Sequence, residues 1–551
     1  MKIKMKIMLL SALTAISIFP VLAGPAPDTK PLGQVLDAKS YVNRDLPDCG
    51  LQAAIDKVAA DGGGTVRIPE GEYPLRCGLV LKSNVILEGA GQGKTVLLPW
   101  RKEERVEITA LGPDAEGWVA VDKIPDTMKA GSAITIWRAF PMAHQGYQSP
   151  AWGESVDREG RKIKLKAPLG WQSELPGKMQ PGKNIISFGT ALALDKPVAK
   201  GDIELVFKDA SILKAGDELA VGEPGNDSRD RMRFVKEVKG NTVVLTEAIK
   251  EPLESWTGKQ WNSVINMPYA LFPAIHGWDV KNAGIRNLAV RGHGNDRIYP
   301  GMTRYTLSAI HIFNSDGVSL DGVEVRDWPA DGISLQTGKN VQVLNCQATR
   351  ILGNGFHPGT NFTDGVFDRC IGDSCGSGFY WCWSNSKNTV KNCRFVNSRG
   401  GGMTGLGNPR DKENLIENNE ISDNGEAGIE INGGLESGNI IRGNTIANNS
   451  QKIPGKFPGI AVYASTEDAK MYTIEGNTVR DTQSTPTQWV GIEEKNSVYQ
   501  KKPTAADKNI FRKNVYSGHK TADIIKAGAE TVIEEKDGVK IIPAAPPEKG
   551  N

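Results

Sequence analysis

A segment of about 24 residues recurs through the C-terminal half of this chain, and a repeat of that length restricts the fold more than any other feature. Its copies run VSLDGVEV, VQVLNCQA, GVFDRCIG, TVKNCRF, LIENNEI, IIRGNTI, TIEGNTV and IFRKNVY. Aligned, one column reads Gly322, Cys346, Cys370, Cys393, Asn419, Asn444, Asn477 and Asn514, with loop insertions widening the later spacings. Apolar and polar residues alternate within each copy, and no stripe with helical spacing appears. Such a repeat closes into one coil of short strands, each hydrogen-bonded to the coils above and below. The expected fold is all-β, a β-helix. Asparagines in register pass amide hydrogen bonds from coil to coil, and the cysteines fill the same inward slot as small apolar groups. Their spacing lacks the close pairs of a zinc site.

The chain of 551 residues is 39% hydrophobic, enough for a large core, while 62 glycines and 31 prolines call for many turns. Lys plus Arg (66) nearly balance Asp plus Glu (64), so nothing points to a nucleic-acid partner. Residues 1–23, MKIKMKIMLLSALTAISIFPVLA, have the lysine-containing start, apolar run and small-residue end of a secretory signal peptide. A secreted or periplasmic monomer is expected, with no membrane anchor after cleavage. Seven cysteines leave at least one thiol unbridged in such a compartment, and Cys49 and Cys77 form the candidate disulfide.

Near the expected mature N-terminus, Leu51, Ala54, Ile55 and Val58 trace one face of a short helix suited to covering the open end of the coils. The stretches GGGTVRIPEGEYPL and LVLKSNVILEGAGQGKTVL follow it. Together with the NVxVxNC coils, they resemble the pectin-lyase-like superfamily of right-handed parallel β-helix proteins. The resemblance covers residues 45–98 and 271–535 and implies a polysaccharide substrate. The expected organisation is a signal peptide (1–23), a cap with the first coil (24–100), an inserted region (101–270), the main β-helix (271–535) and a tail (536–551). KAGSAITI and KAGDELAV suggest two related β modules in the insertion, with Trp118, Trp137, Trp152, Trp171, Trp256 and Trp261 as core or sugar-wall aromatics.

A second strand stacks as AIHIF, GISLQ, GFHPG, GFYWC, GMTGL, GIEIN, GIAVY and GIEEK. Strand alternation turns its third and fifth positions outward. The third column reads His311, Ser334, His357, Tyr380, Thr404, Glu430, Ala461 and Glu493; the fifth reads Phe313, Gln336, Gly359, Cys382, Leu406, Asn432, Tyr463 and Lys495. His357 and Tyr380 should therefore stand on neighbouring rungs of an outer face, kept low by Gly355, Gly359 and Gly378.

The expected reaction is β-elimination on a uronate-containing glycan, with His357 as base, Tyr380 as acid or second base, and Arg350 or Arg399 neutralising the carboxylate. His311, Asp331, Gln336, Trp383, Lys387, Arg399, Arg410 and Asn432 are the candidate substrate contacts. Glu430 and Glu493 supply the rival, a glycoside hydrolase with two carboxylates; a non-catalytic binding protein or adhesin is the third reading. Asp331, in PADGISL, matches the first aspartate of a polygalacturonase-type strand, but Asn354-Gly355 replaces the paired aspartates of the next rung. GNGFHPGT resembles part of the alginate-epimerase Asp-Pro-His region, with His357 at the aspartate position and Gly359 at the histidine. No cofactor is expected; the resemblance admits calcium, although no compact acidic run marks a site.

Overall fold

The computed structural model describes residues 33–546 apart from 100–104, 127, 131–132, 139–147, 167–183, 222–231, 250–251, 253–263, 268–271, 293–306, 409 and 436. The segment read as a signal peptide, and Trp171, Trp256 and Trp261, lie outside the described residues.

Each coil contributes one short strand in turn to three parallel sheets. Among the described residues, sheet A has 13 strands, from Gln34–Asp37 to Val532–Glu534. Sheet B has 11, from Gly71–Leu75 to Val515–Ser517, and sheet C has 12, from Leu79–Val80 to Ile541–Pro543. The expected β-helix is thus the fold adopted. Inside it, residues of one column pack on themselves: Phe367 lies edge-on to Phe379 with ring centroids 4.9 Å apart, and Phe379 contacts Phe395 at 5.5 Å.

The asparagine column is a hydrogen-bonded ladder. Asn444 Oδ1 accepts from the backbone N and Nδ2 of Asn419, both at 2.9 Å, while its own Nδ2 donates to Asn477 Oδ1 and the Ile416 carbonyl at 3.0 Å. Cys393 continues the column, its N–H donating to Asn419 Oδ1 and its sulfur accepting from Cys370 N. Two further ladders, Asn388–Asn414–Asn439 and Asn424–Asn449–Gln488, hold the other corners and were not anticipated from the sequence. The first member of the expected column is corrected by one residue. Asp321 pairs with Leu344, which puts Val323 above Cys346 and leaves Gly322, at φ +61, as the left-handed turn residue equivalent to Asn345.

A glycine column marks the corner where the chain enters sheet C. A Cβ on Gly332, Gly355, Gly378 or Gly402 would lie 2.7–2.8 Å from the carbonyl oxygen of the corresponding glycine one coil on. Gly355 and Gly378 therefore let coils approach one another; they do not lower an outer surface for substrate.

The helix Leu51–Ala60 buries Leu51, Ala54, Ile55 and Val58 completely and packs on the first strands of sheets A and C. No disulfide joins Cys49 to Cys77, since all seven cysteines are thiols and Cys49 Sγ donates to the Pro74 carbonyl. Strands between Arg105–Glu107 and Val264–Met267 form a separate antiparallel sheet around two small apolar clusters. Phe234 joins this sheet to the main core, its ring 5.8 Å from Phe272 and 5.7 Å from His276. Among the described residues, no helix is long and apolar enough to cross a membrane.

Asn444→Ala removes four ladder bonds and leaves their partners buried. The loss should be about 4 kcal/mol, at about 1 kcal/mol per bond, read as a lowered midpoint in denaturant unfolding with an unchanged slope.

Candidate active site

Sheet C carries the proton-transfer groups. Its register pairs His276 with His311, His311 with Ser334, Ser334 with His357, and Phe356 with Phe379, so His357 and Tyr380 occupy neighbouring rungs. The two rings meet edge-on with centroids 4.9 Å apart. His357 is not on an open surface, however, being 4% exposed, and Tyr380 is half-buried. The outward column forms the floor of a recess because its own side chains cover one another.

Asp331 closes the arrangement from the corner before sheet C. It is fully buried, so it does not reach a substrate; it holds other residues in place. Its Oδ1 accepts from the backbone N–H of Asn354 at 2.7 Å and from Asn354 Nδ2 at 3.1 Å. Its Oδ2 lies 2.7 Å from His357 Nδ1. A carboxylate only accepts, so Nδ1 carries a proton and Nε2 is the nitrogen turned away from Asp331. Gly353 makes this fit possible, since a Cβ there would stand 2.2 Å from Asp331 Oδ1.

Two residues beyond Tyr380 stands Cys382, which is half-buried. The loop carrying this thiol is fixed by Cys382 N–H donating to the Pro358 carbonyl at 3.2 Å. Thr360 Oγ1 lies 3.7 Å from the sulfur. Burial presses the imidazole toward neutrality, but Asp331 and Cys382 outweigh it and raise its pKa to about 9. Burial would likewise raise the Cys382 thiol, yet the influence of His357 and Thr360 leaves it below the ordinary value. Burial, reinforced by negative neighbours, pushes the Tyr380 phenol far upward.

Tyr380 owes its position to a bulge. The strand Met403–Leu406 slips register against Ile429–Ile431, and Gly405 adopts φ +80. A Cβ on Gly405 would lie 2.5 Å from Tyr380 Cε2, so the missing side chain is the space the ring occupies. The same bulge turns Leu406 inward to pair with Ile431, removing it from the outward fifth column.

The basic candidates fall elsewhere. Arg350, expected to neutralise the substrate carboxylate, belongs to sheet B, where its Nε and Nη2 donate to Asp327 at 2.5 and 2.7 Å, so its charge is paired within the fold. Arg399 donates to the carbonyls of Ile351 and Leu352 at 3.2 and 2.6 Å and braces the B-to-C corner. Lys387 and Arg410 are exposed in the turns that follow sheet C, and Trp383 is 58% exposed beside Cys382. Gln336 is buried, its Nε2 donating to Ser334 Oγ at 2.9 Å; it fills the space left by Gly359. His311 is buried against Trp278, ring centroids 5.9 Å apart, and Trp278 stacks on Phe313 at 4.6 Å. Sequence reasoning missed His276 and Trp278, although both continue the outward columns upward.

Lower on sheet C, Glu430, Ala461 and Glu493 share a column. Burial raises the pKa of both carboxyls, Asn432 opposing the rise at Glu430, and Glu493 accepts from Tyr463 Oη at 2.5 Å. Calcium needs several oxygen ligands on one ion. Among the described residues no three His, Cys, Asp or Glu side chains come together to hold a metal.

A family model for the right handed beta helix region matches residues 308–479 and 409–533. The chain is 50% identical to mannuronan C5-epimerase AlgE5 of Azotobacter vinelandii over 8% of its own length and 5% of that protein. To alginate lyase 7 of the same organism it is 48% identical over 8% of its length and 6% of the relative. These matches span only a small part of either relative. The A-module of mannuronan C-5 epimerase AlgE6 from A. vinelandii superposes with a TM-score of 0.45 at 13% identity, covering 93% of this chain and 100% of the module. With the family model lying along the coils of the three parallel sheets, the chain is a right-handed parallel β-helix.

Proposed function

We propose that this protein is an exported enzyme that cleaves a uronate-containing polysaccharide by β-elimination, using the recess around His357 and Tyr380. The observation that carries the reading is the meeting of Asp331, His357 and Tyr380 on one face of the coil stack. Elimination removes the proton at C5, beside the sugar carboxylate, and expels the oxygen at C4. With its pKa near 9, His357 is an imidazolium at neutral pH and not the base expected from sequence. Its positive charge sits where negative charge grows on the carboxylate as the C5 proton leaves. Tyr380, kept in its phenol form, donates the proton that the departing oxygen needs. Exposed Lys387, Arg410 and Trp383 line the approach, where cations and an aromatic face suit an acidic glycan.

The short matches include both epimerases and a lyase, and the two reactions share the first step. C5 epimerisation is therefore the second reading: the carbanion regains a proton from the opposite face and no unsaturated sugar forms. The hydrolase is the rival reading: Ala461 separates Glu430 from Glu493, and two strand spacings, about 9.6 Å, put them at the upper edge of the roughly 6.5–9.5 Å used for inversion.

Elimination is measured by the ultraviolet absorbance of the unsaturated product on polyuronates and neutral glycans, and epimerisation by NMR of the recovered polymer. His357→Ala and Tyr380→Phe should each lower kcat by about 10²- to 10⁴-fold, while Glu430→Gln retains turnover. A dead Glu430→Gln beside an active His357→Ala would hand the site to the hydrolase reading.

The pH profile gives a separate check. The imidazolium is lost as pH rises, so kcat/KM should fall through about pH 9. Asp331→Asn removes the carboxylate that holds the proton on His357, and the falling limb should move to lower pH. An unmoved limb would detach His357 from the reaction.

A further inference from the structure

The outward face of sheet C is covered above the recess and open below it. From the top strand down, the third column runs Val80, His276, His311, Ser334 and His357 through successive pairings, and none of these residues is more than 5% exposed. Gln336, in the fifth column, is covered to the same degree. At the top the cover comes from the inserted antiparallel sheet. Glu247 Oε2 lies 3.5 Å from His276 Nε2, and the Phe234 ring stands edge-on to the imidazole at 5.7 Å. Trp278 and Phe313 keep some surface in the fifth column, but their rings pack on each other, 4.6 Å apart.

Below His357 the pattern reverses. Tyr380 pairs with Thr404, and the columns continue through Glu430, Asn432 and Tyr463, all half-buried, to the exposed Lys495. Both edges of this stretch carry extra chain. The ladder spacing widens to 33 residues between Asn444 and Asn477 and to 37 between Asn477 and Asn514. The added residues fall on either side of sheet C, at 450–459 and 482–489 before its strands and at 464–472 and 496–509 after them. Among them is a hairpin, Ser497–Tyr499 with Lys502–Thr504, tied to the neighbouring turn by Thr504 Oγ1 donating to the Ala464 carbonyl at 2.5 Å. At the far end Lys495 Nζ stands 5.8 Å from the centroid of the Tyr463 ring. An ammonium beside an aromatic face suits a uronate unit, the cation for its carboxylate and the ring for its C–H surface. Burial moves Glu430 and Glu493 toward their neutral forms, which lessens their repulsion of a polyanion.

We propose that the enzyme works from a chain end: the terminal part of the polyuronate enters the recess at His357 and Tyr380, and the rest of the polymer runs one way along sheet C to Lys495, whose ammonium takes a uronate carboxylate. The substrate class is that of the reading above, on which the proposal rests. A track covered on one side of the reacting bond and open on the other admits a terminus and excludes the middle of a chain, because an internal segment has to leave the site in both directions. The covered Ser334 is one rung from His357, about 4.8 Å, which leaves room for a terminal unit or two.

Product sizing and binding on the full chain test it. In the first measurement, products from a long polyuronate are sized by mass spectrometry from the earliest time points. Pieces of one or two units should appear while the polymer keeps nearly its full length; a ladder of intermediate lengths overturns the proposal and leaves the lyase reading intact. Lys495→Ala should raise KM on long chains about two- to fivefold, the size of one exposed ion pair, and leave KM on the shortest cleavable oligomer unchanged. An unchanged KM on long chains also overturns it. In the second measurement, Tyr380→Phe protein, chosen to slow turnover, is passed over polyuronate coupled to beads through its reducing end or through its non-reducing end. One kind of bead should retain the protein and the other should not; retention by both, or by neither, overturns the proposal without reference to turnover. If wild type forms no unsaturated product from any polyuronate while one kind of bead still retains it, the elimination reading fails and the one-ended track stands.

Discussion

One distance governs this molecule, the roughly 4.8 Å between hydrogen-bonded strands of successive coils. At that separation a column of side chains either repeats compatibly or clashes, and three solutions recur. Asparagine amides span the gap with a donor and an acceptor each, as in the run from Asn419 to Asn514. Glycine gives way where a Cβ would strike the next carbonyl, as at Gly355 and Gly378. Phenylalanine packs on phenylalanine in the interior. The same spacing builds the recess, because residues about one repeat apart in sequence, such as His357 and Tyr380, arrive in ring contact without any loop to bring them together.

Within that frame Asp331 is the costly residue. A fully buried carboxylate loses several kcal/mol of hydration unless it is hydrogen-bonded throughout, and Asn354 with His357 supplies those bonds. The bonds are directional, so they also fix which imidazole nitrogen is turned to Asp331. Breaking the set at one member strands the others in a region of low polarity. This is why the proton content of the recess is a property of three residues: Asp331 raises His357, and His357 in turn lowers Cys382.

The fold was legible because its determinants are local and periodic: alternation along each strand, a turn residue, then a ladder residue. Where the reading slipped, a small residue was ambiguous. Asp321-Gly322 resembles Asn345-Cys346, and only pairing shows that Gly322 is the turn. Leu406 left its expected column because Gly405 bulges, a backbone event that a fixed period does not encode. The outward columns correctly named the residues that share sheet C, but outward did not mean exposed. Arg350 was sought as a carboxylate ligand because its charge is visible in sequence, whereas its pairing with Asp327 one coil away is not.

The placement of the recess on strands also bears on how it works. Tyr380 is clasped between the His357 ring and the space left by Gly405, and His357 is held by Asp331, itself tied to the next coil. None of these contacts waits for a substrate to form. Electrostatic stabilisation is most effective when the dipoles and charges are in position before charge develops, so that nothing reorganises at the transition state. A parallel β-helix meets that condition through backbone register alone. The cost is that the site has little freedom to adapt; on the proposed reading, the task of recognising a particular glycan would fall to the exposed turns after sheet C, where Trp383, Lys387 and Arg410 lie.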